Sequence, residues 1–128
     1  MNNENSYSVI LPTLNEVGHI NSLIKDISNN FEKFNIKYEI IVVDDNSEDG
    51  TVEEILKINN SRVIIHKRTN KKKSLVDSLN EGIIISNNEN IIWMDADFSH
   101  PPNYIDKFIN LRNVKNIDVI VCSRFLKE

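Results

Sequence analysis

Short apolar runs alternate along the chain with longer stretches whose apolar residues recur every three or four positions. The short runs are rich in Ile and Val, which is typical of strands buried on both faces. Five of them predict strands, at residues 8–11, 38–43, 62–66, 90–94 and 118–121. We expect the first strand to end at Pro12, because proline has no N–H to donate to a sheet. Trp93, in the fourth run, is expected in the core.

The stretches between these runs predict four helices, at residues 16–34, 51–58, 74–86 and 101–111. Asn15 or Thr13 is expected to cap the first helix, since both side chains accept hydrogen bonds from helix N–H groups. Alternation of strand and helix is the pattern of a parallel, doubly wound α/β sheet. The chain has 128 residues, and we expect a single domain spanning 1–128.

Composition and charge narrow the classes of function. The chain carries 15 basic and 19 acidic residues, a net charge of −4, which argues against a nucleic-acid binder. Its one cysteine excludes a disulfide framework. No apolar run approaches the roughly 20 residues of a membrane helix. The first ten residues lack the charged start and apolar stretch of a signal peptide. We therefore expect a cytoplasmic location.

The residues that carry chemistry follow the predicted strands. In a parallel α/β sheet the carboxyl ends of the strands meet at one edge, and ligands bind in the crevice beyond it. Polar or acidic segments follow the first, second, fourth and fifth strands, at residues 12–16, 44–51, 95–102 and 122–124. Acidic groups from three strands thus converge, and such a cluster is unfavourable unless a cation or a hydrogen-bond donor offsets it.

Asp95 and Asp97 flank a single residue directly after an apolar strand. Two carboxylates at this spacing can face one hard cation, and Mg²⁺ and Mn²⁺ prefer oxygen ligands. Ser99 and His100 are candidates for a further contact. The alternative is that Asp97 caps the following helix while Asp95 lies in a turn.

Three further acidic residues, Asp44, Asp45 and Glu16, can each contact a ligand or serve a structural role. Asp44 or Asp45 can accept hydrogen bonds from a nucleobase or a ribose, or can form an acidic turn before the helix that begins at Thr51. Glu16 can likewise be a helix N-terminal acid, which the helix dipole favours.

Taken together, these segments resemble the inverting family 2 glycosyltransferases of the GT-A fold. The resemblance rests on residues 12–16, 43–51, 94–102 and 123–124, and is closest to dolichol- or polyprenol-phosphate mannosyltransferases and their glucosyl relatives. It implies a Rossmann-like nucleotide-diphospho-sugar transferase fold, a parallel sheet with flanking helices. The family's domain continues well past Arg124. We therefore expect this chain to be the N-terminal nucleotide-sugar-binding part, truncated on its C-terminal side.

The resemblance also implies roles for individual residues. Asp95, Asp97 and Ser99 would hold Mg²⁺ or Mn²⁺, and the catalytic residues would be Asp97 and Arg124, with Arg124 facing a phosphate of donor or acceptor. A diphosphate leaving group develops negative charge, which a divalent ion and an arginine stabilise. The implied nucleotide pocket consists of Pro12, Leu14, Glu16, Val43, Asp45 and Ala96.

The implied reaction transfers a sugar, mannose or glucose, from a GDP-mannose or UDP-glucose type donor to a polyprenyl or dolichyl phosphate. Membrane contact is expected only through that acceptor or through a C-terminal region outside this chain. Three alternatives stay open: a family 2 transferase with a polysaccharide or glycolipid acceptor, a nucleotide-sugar-binding fragment without turnover, and a receiver-type signalling domain phosphorylated on Asp95. A phosphatase that uses Asp95 and Asp97 leaves the 43 residues before Asp44 unexplained.

Overall fold

The computed structural model describes residues 5–114, 116–123 and 125, and within them the chain forms one parallel four-stranded sheet. The strands lie in the order β3-β2-β1-β4, with all pairs parallel. The strands are β1 (Ser6–Thr13), β2 (Lys37–Asp44), β3 (Val63–Lys67) and β4 (Asn90–Trp93). The helices are α1 (Ile20–Lys33), α2 (Thr51–Leu56), α3 (Leu75–Ile85) and α4 (Ile105–Val114), the last preceded by a 3-10 turn, Pro102–Tyr104. The α/β class and the parallel sheet are thereby confirmed.

Helices cover both faces of the sheet. Successive residues of a strand point to opposite faces, so Val9 and Leu11 of β1 pack in one apolar cluster and Ile10 in another. The larger cluster includes the buried side of α1, and the smaller one lies beneath α3 around Leu79. Within the described ranges, no helix is both long enough and apolar enough to cross a membrane.

The strand β1 runs through Pro12 to Thr13, so the prediction that it ends at Pro12 is wrong. The carbonyl of Thr13 accepts from Asp45 on the β2 side, and that of Ile10 accepts from Met94 on the β4 side. Pro12 has the same parity as Ile10 and therefore faces the β4 side, where pairing has already ended at Ile10. Its missing N–H costs no hydrogen bond of the sheet.

The predicted fifth strand, at residues 118–121, is also wrong, because the structure has no strand there. Val119 and Val121 are 76% and 77% exposed. A strand needs a neighbour for its backbone N–H and C=O groups, and among the described residues β4 pairs with β1 alone. The same edge leaves Trp93 51% exposed, contrary to its expected place in the core.

Gly82 sets the distance between α3 and the sheet. A Cβ added to Gly82 would lie 2.6 Å from Cγ2 of Ile10 and 3.1 Å from Cγ2 of Val43. Both residues are fully buried, and close-packed interiors leave such side chains little room to move. Glycine therefore allows α3, and the loop that precedes it, to lie close against the ends of β1 and β2.

We expect Gly82→Ala to lower the free energy of unfolding by about 1–2 kcal/mol, because overpacking against Ile10 outweighs the gain in helix propensity. Urea unfolding followed by circular dichroism measures the change. Gly18→Ala is the matched control, since a Cβ there meets no atom within 4 Å. Equal effects at the two glycines would contradict the close approach.

Candidate functional site

The candidate site lies at the carboxyl edge of the sheet. The strand register pairs Thr13 with Asp44 and Asp44 with Lys67, so β1, β2 and β3 end at the same level. The loop after β4 lies next to β1, because these two strands pair. The structure thus brings together the segments that follow β1, β2 and β4.

Asp44 fixes the shape of the loop after β2. Its carboxylate is fully buried and accepts hydrogen bonds from the hydroxyls of Thr13, at 2.9 Å, and Ser47, at 2.6 Å. The Ser47 N–H also donates to it, at 2.9 Å. Between them, Asn46 adopts a positive φ of 63°, which asparagine tolerates better than most residues. Asp44 is therefore satisfied inside the protein and ties β1 to the second loop.

The loop after β1 is clamped by side chains of the loop after β2. Three consecutive backbone N–H groups of the first loop donate to side-chain oxygens of the second, and one side chain of the first loop accepts in return. The bonds are Asn15 N–H to Ser47 Oγ at 2.8 Å, Glu16 N–H to Thr51 Oγ1 at 2.9 Å, Val17 N–H to Asp49 Oδ2 at 3.1 Å and Glu48 N–H to Asn15 Oδ1 at 3.0 Å. The hydrogen bond from the Thr51 hydroxyl, with further backbone donors, holds the pKa of Asp49 below its usual value.

This clamp explains why α1 begins later than predicted. Thr13 donates to Asp44 and Asn15 accepts from Glu48, so neither caps the helix. The helix begins at Ile20, and its N-cap His19 makes no side-chain capping bond. The expectation that Asn15 or Thr13 is the N-cap is therefore wrong.

Asp45 is bound on both carboxylate oxygens. Its Oδ1 lies 2.5 Å from Nη1 of Arg68, and its Oδ2 accepts from the Ser74 N–H at 2.6 Å. Arg68 is only 2% exposed. Burial disfavours the charge on Arg68, but its hydrogen bond to Glu81 and the charges of Asp45, Glu81 and Asp77 outweigh this, so its pKa is raised. The pair joins the end of β2 to the loop before α3.

Glu81 of α3 is the second anchor for Arg68. Its Oε1 accepts from Arg68 Nε at 3.1 Å and from Lys71 Nζ at 2.8 Å, and its Oε2 lies 2.7 Å from His66 Nε2. Hydrogen bonds from Lys71, His66 and Arg68 lower the pKa of Glu81 to about 2. The carboxylate is therefore charged at neutral pH and ties α3 to the end of β3.

The loop after β4 brings two carboxylates to one serine. Ser99 Oγ donates to Asp95 Oδ2 at 3.4 Å, and the Ser99 N–H donates to Asp97 Oδ1 at 2.9 Å. The hydrogen bonds from Ser99 hold the pKa of Asp97 below its usual value. Phe98 packs against the core with a φ of 65°, an unusual conformation for a bulky residue and one found most often at functional sites.

These three residues fit a divalent cation with an incomplete protein shell. Asp97 and Ser99 are exposed, and the Asp95 side chain is 44% exposed. Their donors are carboxylate and hydroxyl oxygens, and Mg²⁺ typically binds one or two carboxylates and takes the rest of its shell from water and phosphates. No group of three or more His, Cys, Asp or Glu residues forms a closed metal cage in the described part of the chain. The donor set is that of an open site.

The other residues of the predicted nucleotide pocket differ in how far their side chains are exposed to solvent. Leu14 is 40% exposed, whereas Pro12 and Glu16 are half-buried. Val43 and Ala96 are buried; Val43 packs in the cluster beneath α3, so any ligand contact falls to its backbone.

Two further residues bear on the predicted pocket. Arg124 lies outside the described residues. The role of Asp45 in the nucleotide pocket stays a prediction, because each of its oxygens can accept one more hydrogen bond.

The contacts that hold the site together are not evident in the sequence. The hydrogen bonds that join Thr13 to Asp44 and Asn15 to Ser47 carry no local signature, because their partners are 31 and 32 residues apart. A signal for Arg68 does exist. It is a cation directly after a strand, at the edge where acidic residues were expected to gather.

The comparison with known proteins assigns the chain to a family. The model of glycosyl transferase family 2 matches residues 8–128, and the chain belongs to that family. Membership of this family excludes the receiver domain and the phosphatase as alternatives.

Two curated relatives are similar along most of this chain. It is 36% identical over 121 residues to a dolichol-phosphate mannosyltransferase of Pyrococcus furiosus, covering 94% of this chain and 33% of that protein. It is 35% identical over 106 residues to the Saccharomyces cerevisiae protein of the same name, covering 79% and 39%. The chain thus spans only 33% and 39% of the length of these two relatives.

Solved structures agree on the fold. The mannosyltransferase PcManGT from Pyrobaculum calidifontis, in complex with GDP-Man and Mn²⁺, superposes with a TM-score of 0.63 at 25% identity, over 71% of this chain and 27% of that one. Glucosyl-3-phosphoglycerate synthase from Mycobacterium tuberculosis, in complex with Mn²⁺, UDP and phosphoglyceric acid, gives 0.69 at 23% identity, over 84% and 39%. The expected GT-A fold is confirmed.

We expect Arg68→Met to lower the free energy of unfolding by about 3–5 kcal/mol, because it leaves the buried Asp45 carboxylate without its cation. Lys71→Met is the control: it removes a 52% exposed partner of the same Glu81, and an exposed ion pair is worth at most about 1 kcal/mol. Urea unfolding compares the two variants. A loss at Arg68 no larger than at Lys71 would show that the buried pair does not hold this edge together.

Proposed function

We propose that this chain is the nucleotide-sugar-binding part of a divalent-metal-dependent glycosyltransferase. The full activity would transfer a hexose, mannose or glucose, from a nucleotide-diphosphate sugar to a polyprenyl or dolichyl phosphate. One observation carries the proposal: Asp95, Asp97 and Ser99 present oxygen donors together at the carboxyl edge of a parallel sheet. Family membership and the names of the curated relatives support it.

The donor is proposed to lie across the loops after β1, β2 and β4. The clamp holds the first two loops by four hydrogen bonds, so the exposed Leu14 and the half-buried Glu16 are presented from an ordered backbone. One structural neighbour was solved in complex with GDP-Man and Mn²⁺, and another in complex with UDP, Mn²⁺ and phosphoglyceric acid. Both nucleoside diphosphates are therefore candidates for this chain.

The chemistry requires stabilisation of a leaving diphosphate. In the proposed reaction the bond from the anomeric carbon to the diphosphate oxygen breaks, while an acceptor phosphate oxygen bonds to that carbon. A divalent ion, when bound, supplies positive charge to the leaving group. Asp95 and Asp97 would hold that ion, and the lowered pKa of Asp97 keeps its carboxylate charged at neutral pH. Arg124 is proposed to face a phosphate.

The acceptor is proposed from the relatives' names, dolichol-phosphate mannosyltransferases. A lipid phosphate is already anionic near neutral pH and can attack without losing a proton to a general base. This agrees with the site, where the candidate carboxylates are assigned to the metal.

Calorimetric titration with GDP and UDP, each with and without Mn²⁺, tests the donor and metal sites. We expect at least one nucleotide to bind only with Mn²⁺, and Asp97→Ala to weaken that binding at least about tenfold, or about 1.4 kcal/mol. Asp26→Ala, which removes an exposed carboxylate from α1, is the control and should leave binding unchanged. Absence of binding by both nucleotides, or equal binding by Asp97→Ala, would overturn the proposal.

A further inference from the structure

His100 is bound to the backbone of Asp95. The Asp95 N–H donates to Nδ1 of His100 at 3.0 Å, which closes residues 95–100 into a ring. A ring nitrogen that accepts a hydrogen bond carries no proton, so Nδ1 is the acceptor in this bond and Nε2 is the ring nitrogen left to donate. That Nε2 lies 4.0 Å from Asp95 Oδ2. Both ring nitrogens of His100 therefore lie near the same aspartate.

The imidazole is held in place from the sheet. Trp93, the last residue of β4, contacts His100 edge to face, with ring centroids 6.2 Å apart and an interplanar angle of 81°. Pro101 restricts the backbone of His100 to extended conformations, and the next residue, Pro102, is buried. The contact with Trp93 and the bond from the Asp95 N–H thus favour one orientation of the His100 ring, and that orientation places its Nδ1 against the backbone of Asp95.

The position of the hydrogen bond gives it a consequence for the site. Asp95 lies two residues after Trp93, the last residue of β4 that pairs with β1, so the backbone of Asp95 is no longer part of the sheet. Its N–H is satisfied by His100 and not by a neighbouring strand. Without that acceptor, the backbone at Asp95 gains conformational freedom that binding a ligand would have to remove again. The carboxylate of Asp95 would then no longer be held beside Ser99, which also binds Asp97.

We propose that His100 is a positioning residue for the divalent-cation site. Its Nδ1 fixes the backbone of Asp95, so that the Asp95 carboxylate faces the cation together with Asp97 and Ser99. The inference rests on the metal site of the proposed function. It concerns a residue that would act through Asp95 and would touch neither the cation nor the nucleotide. Outer partners of this kind typically change metal affinity by about 10–100-fold when they are removed.

Two substitutions separate the acceptor atom from the ring. His100→Phe keeps an aromatic ring against Trp93 and removes the acceptor. His100→Asn removes the ring but keeps an oxygen in place of Nδ1 that can accept from the Asp95 N–H. Electron paramagnetic resonance of free Mn²⁺, titrated with each full chain, measures the affinity for the metal alone. Circular dichroism melting checks that each variant is folded.

We expect His100→Phe to weaken Mn²⁺ binding about tenfold or more, and His100→Asn to retain affinity within about twofold of the unsubstituted chain. If His100→Phe left the Mn²⁺ affinity unchanged, or if His100→Asn lowered it tenfold, the positioning role of His100 would be wrong and the proposed metal site would stand. An unsubstituted chain that binds no Mn²⁺ would overturn this inference together with the proposed metal site.

A second measurement is independent of metal and remains informative if His100→Phe does not fold. In the ¹⁵N-labelled chain, the bond from Asp95 N–H to His100 Nδ1 produces a scalar coupling between the two nitrogens, and the imidazole shows the Nε2–H tautomer. We expect both signals without any metal. Absence of the coupling, or a proton on Nδ1, would overturn the inference.

Discussion

Several carboxylates lie at the carboxyl edge of one parallel sheet, and the negative charge of each must be offset where it lies. A buried carboxylate without a partner is strongly unfavourable. Asp44 is therefore surrounded by the donors of Thr13 and Ser47, and Asp45 by Arg68 and the Ser74 N–H. These bonds fix the loops after β1 and β2 and the start of α3. The positions of the other loop residues depend on them.

The carboxylates of the β4 loop are offset differently. Asp95 and Asp97 stay in contact with solvent, and neither forms an ion pair with a lysine or arginine in the described part of the chain. Their protein donors are Ser99 and the backbone, which orient the oxygens without neutralising the charge. The buried carboxylates Asp44 and Asp45 build the scaffold, and the more exposed Asp95 and Asp97, which have no lysine or arginine partner among the described residues, are the two that we propose hold a cation. This division supports a nucleotide-diphosphate site in a chain whose net charge is already negative.

The sequence predicted the fold class and the convergence of the segments after β1, β2 and β4, because both depend on local patterns. The Ile- and Val-rich runs predicted the four observed strands, and parallel strands necessarily collect the following segments at one edge. Contacts between distant residues could not be predicted in this way. Whether Pro12 can remain inside β1 depends on where β4 stops pairing. Asp45 pairs with Arg68, which follows a different strand, and the local sequence around Asp45 does not indicate this partner. The run at 118–121 has strand-like composition but pairs with no strand among the described residues.

Paramagnetic broadening by Mn²⁺ in the amide spectrum of the chain maps where the cation lies, and so tests whether Asp95 and Asp97 hold it. At substoichiometric Mn²⁺ we expect loss of the amide signals at residues 95–99, spreading to residues 13–16 when GDP or UDP is added, with no such loss in Mg²⁺. Broadening centred instead on Asp77 and Glu81, the two carboxylates of α3 that pair with Arg68, would contradict this expectation. That result would mean that the carboxylates beside Arg68, and not the two after β4, hold the cation.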